Sequence, residues 1–177
     1  MGPSNGSALV ILNDIGFLDL QQDFGDRLSA SWGDFNNDSY PDLFLGNSNQ
    51  SQLYQNNTDG TFTNITDQSG LTVDCDTCFV TSGLWLDYDI DGLLDLFITD
   101  YHSNSNNKLY KNLGGLTVGE FDPSTIINDS NRLAGKPEFF TVGDIDNDYD
   151  LDIIVAYQAS NEVVWYANDG NSTFTEA

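Results

Sequence analysis

Basic side chains are scarce in this chain: Arg27, Lys108, Lys111, Arg132 and Lys136 are the only five, against 28 aspartates and glutamates, for a formal net charge of −23. A phosphate backbone needs a basic patch, which five scattered cations cannot supply, so nucleic acid is excluded as a partner. Histidine occurs once, as His102 in the polar stretch 101–107, and the one Gly-x-Ser-x-Gly match, Gly2 to Gly6, falls in the Gly/Ser-rich leader without the preceding strand that a nucleophile elbow needs. Without a nucleophile and its orienting partners there is no catalytic constellation, and an enzyme is not expected. Long apolar runs are also missing: none approaches the roughly 18 residues of a membrane span, and no signal peptide is visible. The two cysteines stand together as Cys75-Asp76-Thr77-Cys78. One CxxC is only half a zinc site, and an acidic surrounding does not lower a thiol pKa. A local disulfide between Cys75 and Cys78 is preferred over free thiols, consistent with an oxidising compartment.

Aspartate, by contrast, is abundant and patterned. Three segments share one frame: Asp34-Phe-Asn36-Asn-Asp38-Ser-Tyr40-Pro-Asp42, Asp87-Tyr-Asp89-Ile-Asp91-Gly-Leu93-Leu-Asp95, and Asp144-Ile-Asp146-Asn-Asp148-Tyr-Asp150-Leu-Asp152. Oxygen-bearing side chains recur at positions 1, 3, 5 and 9, a spacing that wraps hard donors around one Ca²⁺. Carboxylates crowded into a short loop repel unless a cation neutralises them. Asp and Asn are also common turn residues, but turn chemistry alone does not explain three loops in one frame, each followed by an apolar run. The expected ligands are the side chains of Asp34, Asn36, Asp38 and Asp42; of Asp87, Asp89, Asp91 and Asp95; and of Asp144, Asp146, Asp148 and Asp152. Backbone carbonyls of Tyr40, Leu93 and Asp150 at position 7 complete them, for about three Ca²⁺ per chain. An EF-hand is excluded, because position 12 is Leu45, Ile98 or Val155 instead of a bidentate Glu.

The repeat extends beyond the loops. Asp34 and Asp87 lie 53 residues apart and Asp87 and Asp144 lie 57 apart, a period typical of propeller blades. Each loop runs into a β-rich stretch, then into Tyr54-Gln-Asn56, Tyr110-Lys-Asn112 or Tyr166-Ala-Asn168, and then into a glycine turn and a Phe: Phe62, Phe121 or Phe174. The fold class is therefore all-β, with one four-stranded antiparallel blade per repeat and the acidic loop joining its first two strands. In the first repeat the strands are expected at 29–33, 42–47, 51–56 and 61–66. Trp32 and Trp85, two residues before their loops, are expected to pack between blades. Residues 29–80, 81–137 and 138–177 form the three repeats. Residues 8–28 match only the second half of a unit, and 1–7 read as a flexible leader or cloning scar.

With these residues in place, the segments 32–44 and 53–62 resemble the FG-GAP/VCBS repeat of integrin α-subunit propellers and secreted bacterial proteins. The resemblance runs from about Ala8 to Phe174. It implies a calcium-bound β-propeller in an extracellular setting, used for adhesion or for binding a protein or glycan. Ser39 and Tyr149 stand where that family usually has Gly, so those two loops are expected to bend differently from the Gly92 loop. Three and a half units fall short of a closed propeller. A piece of a longer array, a ring completed by several chains, and an open stack that self-associates through its blade edges all remain open. The expected function is an extracellular recognition or adhesion module whose ligand meets the polar connections 47–52 and 102–107. The alternative is a non-catalytic or partial segment of a secreted polysaccharide-active enzyme, since some lyases are built on similar propellers.

Overall fold

The computed structural model describes residues 29–47, 51–71, 80–100, 107–115, 120–126, 137–158, 160–171 and 173–177. Residues 1–28, which hold the expected leader and half repeat, lie outside them, as do Cys75, Cys78 and His102. Among the described residues there are strands and turns but no helix.

The described residues form twelve strands in three sheets of four, each antiparallel with its strands in chain order. The first contains β1 (Ser29–Gly33), β2 (Asp42–Gly46), β3 (Gln52–Asn56) and β4 (Phe62–Asn64). The second contains β5 (Val80–Leu86), β6 (Asp95–Asp100), β7 (Lys108–Asn112) and β8 (Phe121–Ile126). The third contains β9 (Pro137–Gly143), β10 (Asp152–Tyr157), β11 (Glu162–Asn168) and β12 (Phe174–Glu176). The acidic loops join β1 to β2, β5 to β6 and β9 to β10, and in each the register closes on the residues flanking the loop: Gly33 with Asp42, Leu86 with Asp95, and Gly143 with Asp152. In the first sheet the expected strand ends hold to within two residues. The described residues do not close a ring.

The sheets stack face to face, which explains why the second strand of each reads as a continuous apolar run. Phe44 and Leu53 of the first sheet meet Leu96, Ile98 and Tyr110 of the second in one buried cluster. Phe97 and Leu109, on the other face of the second sheet, meet Ile153, Val155 and Tyr166 of the third. Phe97 also stands edge-on to Phe140, 4.8 Å between ring centroids, the geometry favoured by the aromatic quadrupole. Close approach sets one residue choice: a Cβ on Gly83 would lie 2.7 Å from the Phe44 ring, so a larger residue there would push the first two sheets apart.

The third sheet differs on its far side. Phe139 and Val163 are 72% and 73% exposed, and both pair with Ala156 on the outward face. The Trp pair also divides. Trp85 is 8% exposed and stacks on Phe35 at 6.1 Å, as a packing residue should, whereas Trp32 is 51% exposed with the Phe62 ring 6.0 Å away.

Candidate metal centres

Each acidic loop is shaped by its own carboxylates before any ion is considered. The position-1 aspartate accepts backbone N–H groups from positions 5 and 6 on its two oxygens. Asp34 takes Asp38 and Ser39 at 3.0 and 2.8 Å, Asp87 takes Asp91 and Gly92 at 3.0 and 3.0 Å, and Asp144 takes Asp148 and Tyr149 at 3.1 and 3.1 Å. The position-5 aspartate then accepts the N–H of position 7, from Tyr40, Leu93 and Asp150. These nested bonds curl the chain so that loop carboxylates face one another.

The curl requires left-handed backbone at two positions. Position 6 has φ of 72° at Ser39, 87° at Gly92 and 79° at Tyr149; position 4 has 56° at Asn37, 59° at Ile90 and 62° at Asn147. The Ser39 and Tyr149 loops therefore follow the same path as the Gly92 loop, contrary to the expectation from their missing glycines. The aspartate-to-backbone bonds hold a conformation that the side chains at those positions disfavour. Ile90 is the most costly of the six, a β-branched residue in this region that is 63% exposed and buries little in return. Ile90→Asn is expected to raise stability by about 1 kcal/mol, read as an increase in the urea midpoint at unchanged slope.

Position 9 does something different. Asp42, Asp95 and Asp152 are fully buried, and each spends one oxygen on the N–H of loop position 2 and the other on the N–H of the repeat asparagine in the third strand. The distances are 3.2 and 2.8 Å for Asp42 (Phe35, Asn56), 3.2 and 2.7 Å for Asp95 (Tyr88, Asn112), and 2.9 and 2.9 Å for Asp152 (Ile145, Asn168). One carboxylate thus pins the loop entry to the far strand. Burial, only partly offset by these bonds, pushes Asp42 up to about 6 and Asp95 up to about 7.

The repeat asparagine completes the clasp and reaches into the next sheet. Asn112 Nδ2 donates to Leu94 O of its own loop at 3.0 Å and to Phe35 O of the first loop at 2.8 Å. Asn168 Nδ2 does the same to Leu151 O at 3.2 Å and Tyr88 O at 2.9 Å. Asn56 Nδ2 makes the own-loop bond, to Pro41 O at 3.1 Å, and Asn37 Nδ2 links the first loop to Gly92 O of the second at 2.9 Å.

Among the expected ligands, Asp87, Asp89 and Asp91 each bring an oxygen within 4.8 Å of the others, and so do Asp144, Asp146 and Asp152. Asp95 and Asp148 fall outside these tightest groups. The first loop forms no such acidic group among the described residues: position 3 is Asn36, whose amide donates to Asp38 Oδ2 at 3.0 Å while its oxygen takes the Asp38 N–H at 3.1 Å. The donor set is all oxygen, as hard divalent cations prefer. Asp89 Oδ1 in the second loop is buried with no hydrogen-bond partner, the kind of atom an ion would satisfy. The residues therefore fit calcium. Sequence reasoning did not anticipate Lys111, whose ammonium pairs with Asp89 Oδ2 and lies 3.3 Å from Asp91 Oδ2; the hydrogen bond to Asp89 is the main reason its pKa is held above the usual lysine range. The only signal was its place inside the Tyr-x-Asn motif, which reads as a mere repeat marker.

Comparison with curated proteins finds no match. The sequence model of the FG-GAP-like repeat matches residues 34–82 and 87–155, more than half of the chain and inclusive of all three acidic loops. With one four-stranded sheet per repeat and the same loop path in each, the chain belongs to the FG-GAP-like repeat family.

Proposed function

We propose that the chain is a calcium-stabilised recognition module of β-propeller type that works outside the cell, holds about three Ca²⁺ and binds a protein or glycan ligand. One observation carries the calcium part: three loops of different sequence take one backbone path that gathers carboxylates, with two acidic groups whose oxygens lie within 4.8 Å of each other. Chains of like charge do not adopt such a path at neutral pH without a counter-ion or strong local bonding. The role of the ion is structural: it offsets repulsion at the turn that starts each sheet, and the chain's own residues supply the shape. Family membership and the acidic, lysine-poor surface support the extracellular setting, and no helix among the described residues is long and apolar enough to cross a membrane.

The ligand would meet the connections between second and third strands. Their anchors are not free to read it: Asn47 and Ser51 are buried, and Asn107 is buried with its amide on Tyr157 Oη at 3.2 Å. Asn107 thus serves the fold, and recognition would fall to residues 48–50 and 101–106, which lie outside the described residues.

Calcium titration of metal-free protein is expected to give a stoichiometry near three. Each site stabilises the native state by about 2.7 kcal/mol when calcium is a hundredfold above its dissociation constant, so a chelator should lower the melting temperature. Asp89→Ala should lower it in calcium buffer more than Asp67→Ala, since Asp67 is exposed outside the loops. A melting curve unmoved by chelator would rule out the structural role, and a glycan or pull-down array with no retained ligand would rule out the recognition role.

A further inference from the structure

We propose that Lys111 is a tethered cation of the second loop, holding Asp89 and Asp91 together in the calcium-free protein and giving way when calcium binds. The inference rests on the calcium reading above and adds to it a residue that sets the affinity of one site.

Three observations lead to it. The first is placement: the Lys111 ammonium sits on Asp89 Oδ2 and 3.3 Å from Asp91 Oδ2, two of the expected ligands of the second loop. The second is that the lysine is held in position by the backbone. The next residue, Asn112, is fixed to the loop at both ends, its N–H on Asp95 Oδ1 at 2.7 Å and its amide on Leu94 O at 3.0 Å, so the ammonium cannot drift from the second loop without the side chain itself swinging out. The third is that the lysine satisfies the loop incompletely. It takes Asp89 Oδ2 and leaves Asp89 Oδ1 buried and unpartnered, so a single point charge with three donors does not fill the donor set that a divalent ion with six to eight ligands would use.

The equivalent positions are Gln55 in the first repeat and Ala167 in the third, neither charged. The device therefore belongs to the second loop alone. Its Lys side chain is 31% exposed, which leaves a path to solvent for a long flexible stem when an ion arrives. Calcium must either displace the ammonium from the two carboxylates or bind with it a few ångströms away, and the Coulomb cost of the latter, even at the dielectric constant of water, corresponds to an affinity difference on the order of tenfold. The same charge offsets carboxylate repulsion when calcium is scarce, so the second loop keeps its shape at calcium concentrations that empty the others.

The test uses Lys111→Met, which keeps the apolar stem, with Lys111→Gln as a second variant that copies the residue found at position 55. Lys108→Met, on the same strand, changes net charge equally without touching the loop. Calorimetric calcium titration of metal-free protein is expected to show one of the sites tightening about tenfold in Lys111→Met and Lys111→Gln but not in Lys108→Met. Melting in calcium-free buffer should show the opposite sign, with both Lys111 variants less stable than the parent chain. Isotherms identical across all four proteins would overturn the role of Lys111 while leaving three calcium sites in place. Absence of calcium binding in every protein would overturn the calcium reading itself.

Discussion

Asp95→Ala should be among the most damaging single substitutions in this protein, lowering stability by roughly 2–6 kcal/mol. The size of the loss follows from what the side chain does. Asp95 is fully buried, and its two oxygens serve the N–H groups of Tyr88 and Asn112 at 3.2 and 2.7 Å. Removing the carboxylate orphans both donors at once, in a place water does not reach. The loss should persist in calcium-free buffer, because both partners are backbone amides. That distinguishes the clasp from a ligand role, in which mutant and parent would converge once calcium is removed. Asp89→Ala provides the contrast, since its effect should shrink in chelator. Urea unfolding of both variants with and without calcium makes the comparison; an Asp95→Ala deficit confined to calcium buffer would show that the clasp contributes nothing of its own.

The second large effect is a pH dependence that calcium reverses. In the calcium-free protein Asp42 is pushed up to about 6 and Asp95 to about 7, from a value near 3.8, chiefly by burial. A folded-state pKa above the unfolded one means that the native state holds its protons more tightly. The associated stability is fully present below the unfolded pKa and is lost as pH rises through 6 and 7. Every tenfold difference in proton affinity between the folded and unfolded chain corresponds to about 1.4 kcal/mol, so two such groups make the loss several kcal/mol between pH 4 and 8. Calcium-free protein should thus melt at a higher temperature at pH 5 than at pH 8. Saturating calcium, which favours the deprotonated loops, should reverse the trend. Thermal melts at pH 5, 6.5 and 8 in metal-free buffer check it, and a flat calcium-free profile would show that both carboxyl groups ionise normally.

Much of this was legible in the sequence, because side-chain identity carried it. Apolar runs and the position of Asp42, Asp95 and Asp152 at the end of each loop marked the strands, and the spacing of the aspartates marked the turns. What was not legible depended on backbone atoms, which look alike at every position. The N–H groups of Tyr88 and Asn112 give no hint that Asp95 will bridge them, and the carbonyl of Phe35 gives none that Asn112 will reach it from the next sheet. The loops of Ser39 and Tyr149 misled for a related reason: the absence of glycine suggested a different bend, whereas bonds from Asp34 and Asp144 hold the same φ region at the cost of strain. Trp32 and Trp85 are repeat-equivalent in sequence yet differ in exposure, 51% against 8%. Lys111 was hidden by register, since a lysine 16 residues after Asp95 meets Asp89 only through the pairing of β6 with β7.

The asparagine bonds running from sheet to sheet have a thermodynamic meaning. Asn112 holds the first loop to the second and Asn168 holds the second to the third, with Asn37 adding a strut between the first two. Every loop thus shares a hydrogen-bonded member with its neighbour, and an ion that rigidifies one loop lowers the ordering cost of the next. Linkage is reciprocal, so the neighbour returns the same free energy to the first. Such a row behaves as a one-dimensional lattice with nearest-neighbour coupling, in which the proposed calcium uptake is expected to be cooperative from loop to loop.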